Sequence, residues 1–251
     1  MSEPEVPDPK TVGRRPLLLA EMTWAEVAEY LQRDQRLIIP IGSCEQHGRH
    51  LPLGTDSLMA ERLARDLSAE FGVLCAPTLA YGVNAETERD YAGTGSLRRK
   101  TLHRVLNDLC AAWEAHGFEE FILITANFHD PHLDALTTVV TEHARARVVD
   151  LQSVRIGQFL EKQRGPEHAG EAETSVMLYL APRMVRRDEI KDYPLAARDL
   201  KRYLRGRLPR PPAGCEGAIG HPSAADTEKG EKIYQHVLEK LRLRLFLEPE
   251  D

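Results

Sequence analysis

The chain has 251 residues, 42% of them hydrophobic, which is enough to bury a full core. Its 39 acidic and 33 basic residues are scattered and leave a net charge of −6, so no basic stripe exists for a nucleic-acid backbone and nucleic acid is excluded as a partner. Four widely spaced cysteines without a C-x-x-C pair argue against a disulfide framework and a thiolate zinc site, no apolar run approaches the ~18 residues of a membrane span, and the N-terminus has no signal core. The expectation is a cytoplasmic protein with no membrane partner.

Residues 1–16, rich in Pro, Glu and Asp, read as a disordered tail before one domain covering residues 17–251. Thr23-Trp24-Ala25-Glu26 is a capping box, predicting a helix to about residue 31. Continuous apolar runs at residues 37–41, 73–77 and 121–125 predict strands covered on both faces. Helical periodicity marks residues 57–71, 100–116, 131–144, 169–180 and 225–245, and residues 208–214 form a Pro-rich connection. Strand and helix alternate, predicting an α/β fold with a mostly parallel sheet and helices on both faces.

Three clusters carry chemistry. Glu45 and His47 stand two apart just after the first strand, where period two sends both side chains to one face, and Asp56 opens the next helix. A loop hydrogen bond and an N-cap would account for the same residues. His129 follows the strand at residues 121–125, so it faces the crevice that Glu45 and His47 share at the carboxyl edge of the sheet. Asp130 and Pro131 make an ordinary helix start, which leaves His129 unexplained. The third cluster is His168-Ala169-Gly170-Glu171-Ala172-Glu173, whose acids equally suit a first helical turn. Counted together, Glu45, Asp56 and Glu171 with neutral His47 and His129 balance two divalent cations and one hydroxide. Such mixed ligands suit Zn, Mn or Fe rather than Ca. Cys44, beside a ligand but on the alternate face, reads as packing.

The stretch Pro40-Ile41-Gly42-Ser43-Cys44-Glu45-Gln46-His47-Gly48 with Leu51-Pro52-Leu53-Gly54-Thr55-Asp56 closely resembles the first signature of the creatininase family. Tyr81-Gly82, Glu86, Gly93-Thr94, the pair Asn127 and His129, the block His168 to Ser175, and Gly217, Gly220 and Lys229 follow in that family's order. The resemblance implies a three-layer α/β/α sandwich, two divalent metals per chain and a homo-oligomer, commonly a hexamer. It makes Glu45, His47, Asp56 and His129 metal ligands, with Asp56 bridging. Pro131 occupies the position of another family ligand, so Glu171 is the expected fifth. Tyr81, Asn84, Glu86, Phe128 and His132 are expected to face substrate, and His168 to act as general acid. The implied reaction is hydrolysis of a carbon–nitrogen bond in a small cyclic amide, formamide or heterocycle through a metal-bridging hydroxide. Peptide-trimming, keto-sugar hydrolysis and a non-catalytic binding protein remain alternatives.

Overall fold

A computed structural model describes residues 15–204 and 213–247. The predicted tail, but for Arg15 and Pro16, lies outside them, as does the Pro-rich connection up to Pro212.

The first helix, α1 (Trp24–Tyr30), begins on the predicted capping box, with the Thr23 hydroxyl accepting from the Glu26 amide and the Glu26 carboxylate accepting from the Thr23 amide. Strand β1 (Arg36–Ile41) leads into α2 (Thr55–Phe71), which Gly72 ends in the left-handed region at φ 66°. Then come β2 (Leu74–Cys75), α3 (Arg99–Ala115), β3 (Glu120–Thr125), α4 (Asp130–Thr137) and β4 (Arg145–Asp150). Helices α5 (Glu171–Leu180), α6 (Ala197–Leu204) and α7 (Thr227–Arg242) complete the order.

All four strands are parallel, in the order β2-β1-β3-β4. Pleating sends Leu37, Ile39, Phe121 and Leu123 into one core with Leu102 and Leu106 of α3, and Ile38, Ile122 and Ile124 into the other with α2, α5 and α7. The molecule is therefore the expected α/β sandwich, helices covering both faces of the sheet. β1 and β3 pair in register from Arg36–Glu120 to Ile41–Thr125, so the loops that leave their carboxyl ends emerge side by side.

Two elements differ from expectation. The helix predicted over residues 131–144 stops at Thr137, and β4 follows. The hydroxyls of Thr137 and Thr138 donate back to the carbonyls of Leu133 and Asp134, and the Glu114 carboxylate collects the amides of residues 142 to 144, fixing the turn into β4. Helix α6 had no predicted counterpart.

Among the described residues, no helix is long and apolar enough to cross a membrane.

Candidate metal centre

The loop after β1 makes the first half of the site. Glu45 and His47 lie beyond the strand, which ends at Ile41, so the loop and not strand alternation orients them. The Glu45 amide donates to the Leu53 carbonyl, and His47 bridges to Leu51, folding the loop back over the start of α2. That places Asp56, in the first turn of α2, within 3.3 Å of His47 Nε2. His47 Nδ1 lies 3.0 Å from the Glu45 carbonyl oxygen, which can only accept, so Nδ1 carries the hydrogen and Nε2 is directed at the cluster. Ser43 donates to the other Asp56 oxygen at 2.6 Å.

β3 supplies the second half. Asn127 is buried and donates to Glu45 Oε2 at 2.9 Å, while its carbonyl oxygen accepts from the His129 amide at 2.9 Å. One side chain thus ties the two loops together. Phe128, His129, Glu45, Asp56, Ala85, His168 and Tyr203 wall a common cavity of about 20 Å³.

The third part precedes α5. His168 pairs with Ile219 through two backbone hydrogen bonds, and its Nε2 donates to the Gln46 carbonyl at 2.7 Å. Ala169 follows at φ 50°, in the left-handed region that a side chain normally avoids. This turn lets the Ala169 amide donate to Glu173 Oε2 at 2.6 Å, holding the carboxylate inward. Ligand atoms of His47, His168 and Glu173 lie within 4.8 Å of one another, as do those of Glu45, Glu88 and His168. Gly217, at φ 104°, is required beside this turn, because a Cβ there would collide with Gln46, which bonds its carbonyl.

Several expectations are corrected by this arrangement. Glu171 is fully buried away from the cluster, where its carboxylate accepts from the amides of Glu161, Lys162 and Gln163, each at 2.8 Å, and from Lys229 Nζ at 2.5 Å. Four donors saturate it, and of the two acids in this turn it is Glu173 that comes within 4.8 Å of His47 and His168. His132 is equally buried, its Nδ1 accepting from the Val83 amide and its Nε2 paired with Thr125 Oγ1, so it supports the loop and does not face substrate. Glu86 is exposed and near Arg89, and Tyr81 stands 56% exposed, neither on the cavity. Asn84 donates to the Cys44 and Gly95 carbonyls and accepts from Asn127, bracing the site from behind. Cys44 turns its thiol to the Gly93 carbonyl.

Two residues enter that sequence reasoning passed over. Glu88 is buried, accepts from Gln46 and from Tyr203 at 2.6 Å, and lies 3.9 Å from His168 Nε2. Tyr203, from α6, closes the cavity. Glu88 is two residues beyond the expected Glu86, and nothing in the string Glu86-Thr87-Glu88 shows which acid turns inward.

The electrostatics ask for a cation. Four buried carboxylates, Glu45, Asp56, Glu88 and Glu173, meet here, and among the described residues no Lys or Arg forms an ion pair with any of them. Burial first, then Asp56 and Glu88, raise the Glu45 carboxyl far above the ordinary range, and burial with Asp56 pushes Glu173 up to about 7. Burial opposes charge on His47, yet Asp56, Glu173 and Glu45 outweigh it and push the imidazole up to about 10. His168 and His129 are pushed down, chiefly by burial. Carboxylates kept together at such a penalty, with imidazoles among them, form a donor set suited to divalent Zn or Mn.

A family profile described as creatinine amidohydrolase matches residues 20–244. The chain belongs to the creatininase family. It is 26% identical over 244 residues to a creatinine amidohydrolase of Pseudomonas putida, spanning 87% of this chain and 92% of that one. It is 29% identical over 240 residues to a mycofactocin precursor peptide peptidase of Mycobacterium ulcerans, spanning 90% of each. A crystal structure of creatinine amidohydrolase superposes with a TM-score of 0.78 at 23% identity, covering 93% of this chain and 99% of that one. A Zn–Zn form (TM-score 0.75, 23% identity, 91% and 98% covered) and a Mn form (0.72, 24%, 92% and 99%) of creatininase share the fold. The chain is accordingly a hydrolase of carbon–nitrogen bonds.

Proposed function

We propose that this creatininase-family hydrolase is a two-metal amidohydrolase acting on a small non-peptide amide, in which Glu45, His47, Asp56, His129 and Glu173 would hold the ions. The observation that carries this reading is the convergence of buried carboxylates and imidazoles with which, among the described residues, no Lys or Arg forms an ion pair. The Zn–Zn and Mn forms of creatininase support the choice of metal. Divalent ions held there would supply Lewis acidity and an activated water.

The chain's own groups do the rest. Asn127 fixes the orientation of Glu45 and Ser43 that of Asp56, through hydrogen bonds to Glu45 Oε2 and Asp56 Oδ2. His168 keeps its imidazole on the cavity wall with its Nε2 hydrogen given to the Gln46 carbonyl, so its Nδ1 would take up the proton of the attacking water and pass it to the leaving nitrogen. Phe128 and Tyr203 are among the walls of this cavity of about 20 Å³. Assembly into a hexamer and a cytoplasmic location belong to the same proposal.

The test is hydrolysis of a panel of creatinine, lactams, formamides and short peptides by protein loaded with Zn or Mn, alongside chelated protein. Metal-dependent cleavage of a small amide is expected. Metal-independent cleavage, or cleavage of peptides alone, would refute the proposed reading.

A further inference from the structure

A second and far larger cavity, about 510 Å³, has Glu173 among its walls. Its volume falls within the range of ligand pockets, ~300–1,000 Å³. It shares no lining residue with the cavity at Glu45, Asp56 and His129. The walls are Leu63 of α2, Val176 of α5 and Val237 of α7, roofed by Val154, Ile156 and Leu160 of the segment before α5.

The buried polar groups Gln163, Glu167 and Glu173 on its wall are already occupied. Gln163 accepts from the Ala172 amide and donates to the Gly165 carbonyl. Glu167 is paired with His221 at 2.8 Å, and Glu173 accepts from the Ala169 amide. None of these three is left to ask for a polar ligand body. At the edge the situation reverses. Arg155 and Arg164 both border the cavity, both are exposed, and among the described residues neither forms an ion pair with any carboxylate. Glu167, on the cavity wall, is committed to His221.

We propose that this cavity is a binding site for an amphipathic organic anion, an apolar body held among the three helices and an acidic head held by Arg155 and Arg164. The match is one of charge and surface together: a dry apolar interior takes the body through burial, and guanidinium groups at the mouth take a carboxylate or sulfonate. The site is independent of the metal chemistry proposed above, since its residues, apart from the shared wall Glu173, hold none of the cluster.

The experiment uses the full-length protein and two fluorescent probes of similar apolar body, 1-anilinonaphthalene-8-sulfonate and the neutral N-phenyl-1-naphthylamine. Saturable binding of one sulfonate probe per chain is expected, with blue-shifted emission in protein that still unfolds cooperatively. Arg155→Glu with Arg164→Glu, both at exposed positions, should weaken the sulfonate about tenfold and leave the neutral probe within about twofold. Ile156→Trp, which fills the cavity from its roof, should weaken both probes. Metal content should not change in any variant. Absence of saturable binding, or charge reversal that leaves the sulfonate as tightly held as in the wild type, would overturn the proposal. So would sulfonate binding that disappears on self-association and returns on dilution, since the mouth would then be an interface with a second copy.

Discussion

Glu171 and Glu173 stand two residues apart in one helical turn, and replacing each with Gln should produce opposite phenotypes. Glu171 is fully buried, with three backbone amides and Lys229 on its carboxylate. Removing one partner of a buried pair costs about 3–5 kcal/mol, because the other charge is left behind. Lys229 keeps the Ala224 carbonyl and looser contacts to Glu161 and Asp226, which places the expected loss at the lower end, about 3 kcal/mol. The titration of Glu171 gives the same size. Burial opposes its ionisation, but the three amides and Lys229 hold its pKa down at about 2 against an ordinary 4.5, worth about 3 kcal/mol at neutral pH. A depressed carboxyl stabilises above its unfolded pKa, so this contribution should be complete above pH 5 and vanish as pH falls toward 2. At roughly 2–4 °C per kcal/mol for a chain of this size, Glu171→Gln should lower Tm by roughly 6–12 °C while retaining its metals. Glu173→Gln should instead lose one metal ion and leave the metal-free Tm unchanged or higher, since it removes a repelled carboxylate. Thermal unfolding with elemental analysis reads both. An unchanged Tm with lost metal in Glu171→Gln would show that the two roles have been exchanged.

Metal and pH should be linked in a definite direction. Glu173, raised to about 7, binds its proton more tightly folded than unfolded, so metal-free protein should lose stability as pH rises from about 4.5 to 7. Added Zn or Mn should therefore raise Tm more at pH 8 than at pH 5, and an equal rise at both would contradict the assigned cluster. His132→Asn should cost about 1–3 kcal/mol, because a buried imidazole bonded at both nitrogens to Val83 and Thr125 is shortened, and it should leave substrate preference alone. Changed preference without loss of stability would return His132 to the substrate face.

The residues legible in the sequence are those whose positions follow from local order. β1 and β3 were readable as unbroken apolar runs, and parallel pairing then brings the loops holding Glu45, His47 and His129 to one edge. Asp56 was readable because it opens α2. What could not be read depends on contacts distant in sequence. Residues 171 and 173 cannot both face the cluster from one helix, and the choice is made by Lys229, 58 positions away, and by the strained Ala169 turn. The helix α4 was overextended to residue 144 because a run of threonines and valines continues its periodicity while Thr137 and Thr138 end it, and β4 starts just beyond, at Arg145. Glu88 turns inward because Gln46 and Tyr203 are there to meet it, and Tyr203 comes from a helix that the pattern did not reveal.

The central claim is that Asp56 belongs to a set of residues that would hold two divalent ions, and metal content measures it directly. Protein purified without chelator and equilibrated with Zn or Mn should hold about two ions per chain, Asp56→Ala almost none, and Cys44→Ser as many as the wild type, since its thiol faces Gly93. Folded Asp56→Ala that still binds about two ions, or wild-type protein that binds none, would contradict the account.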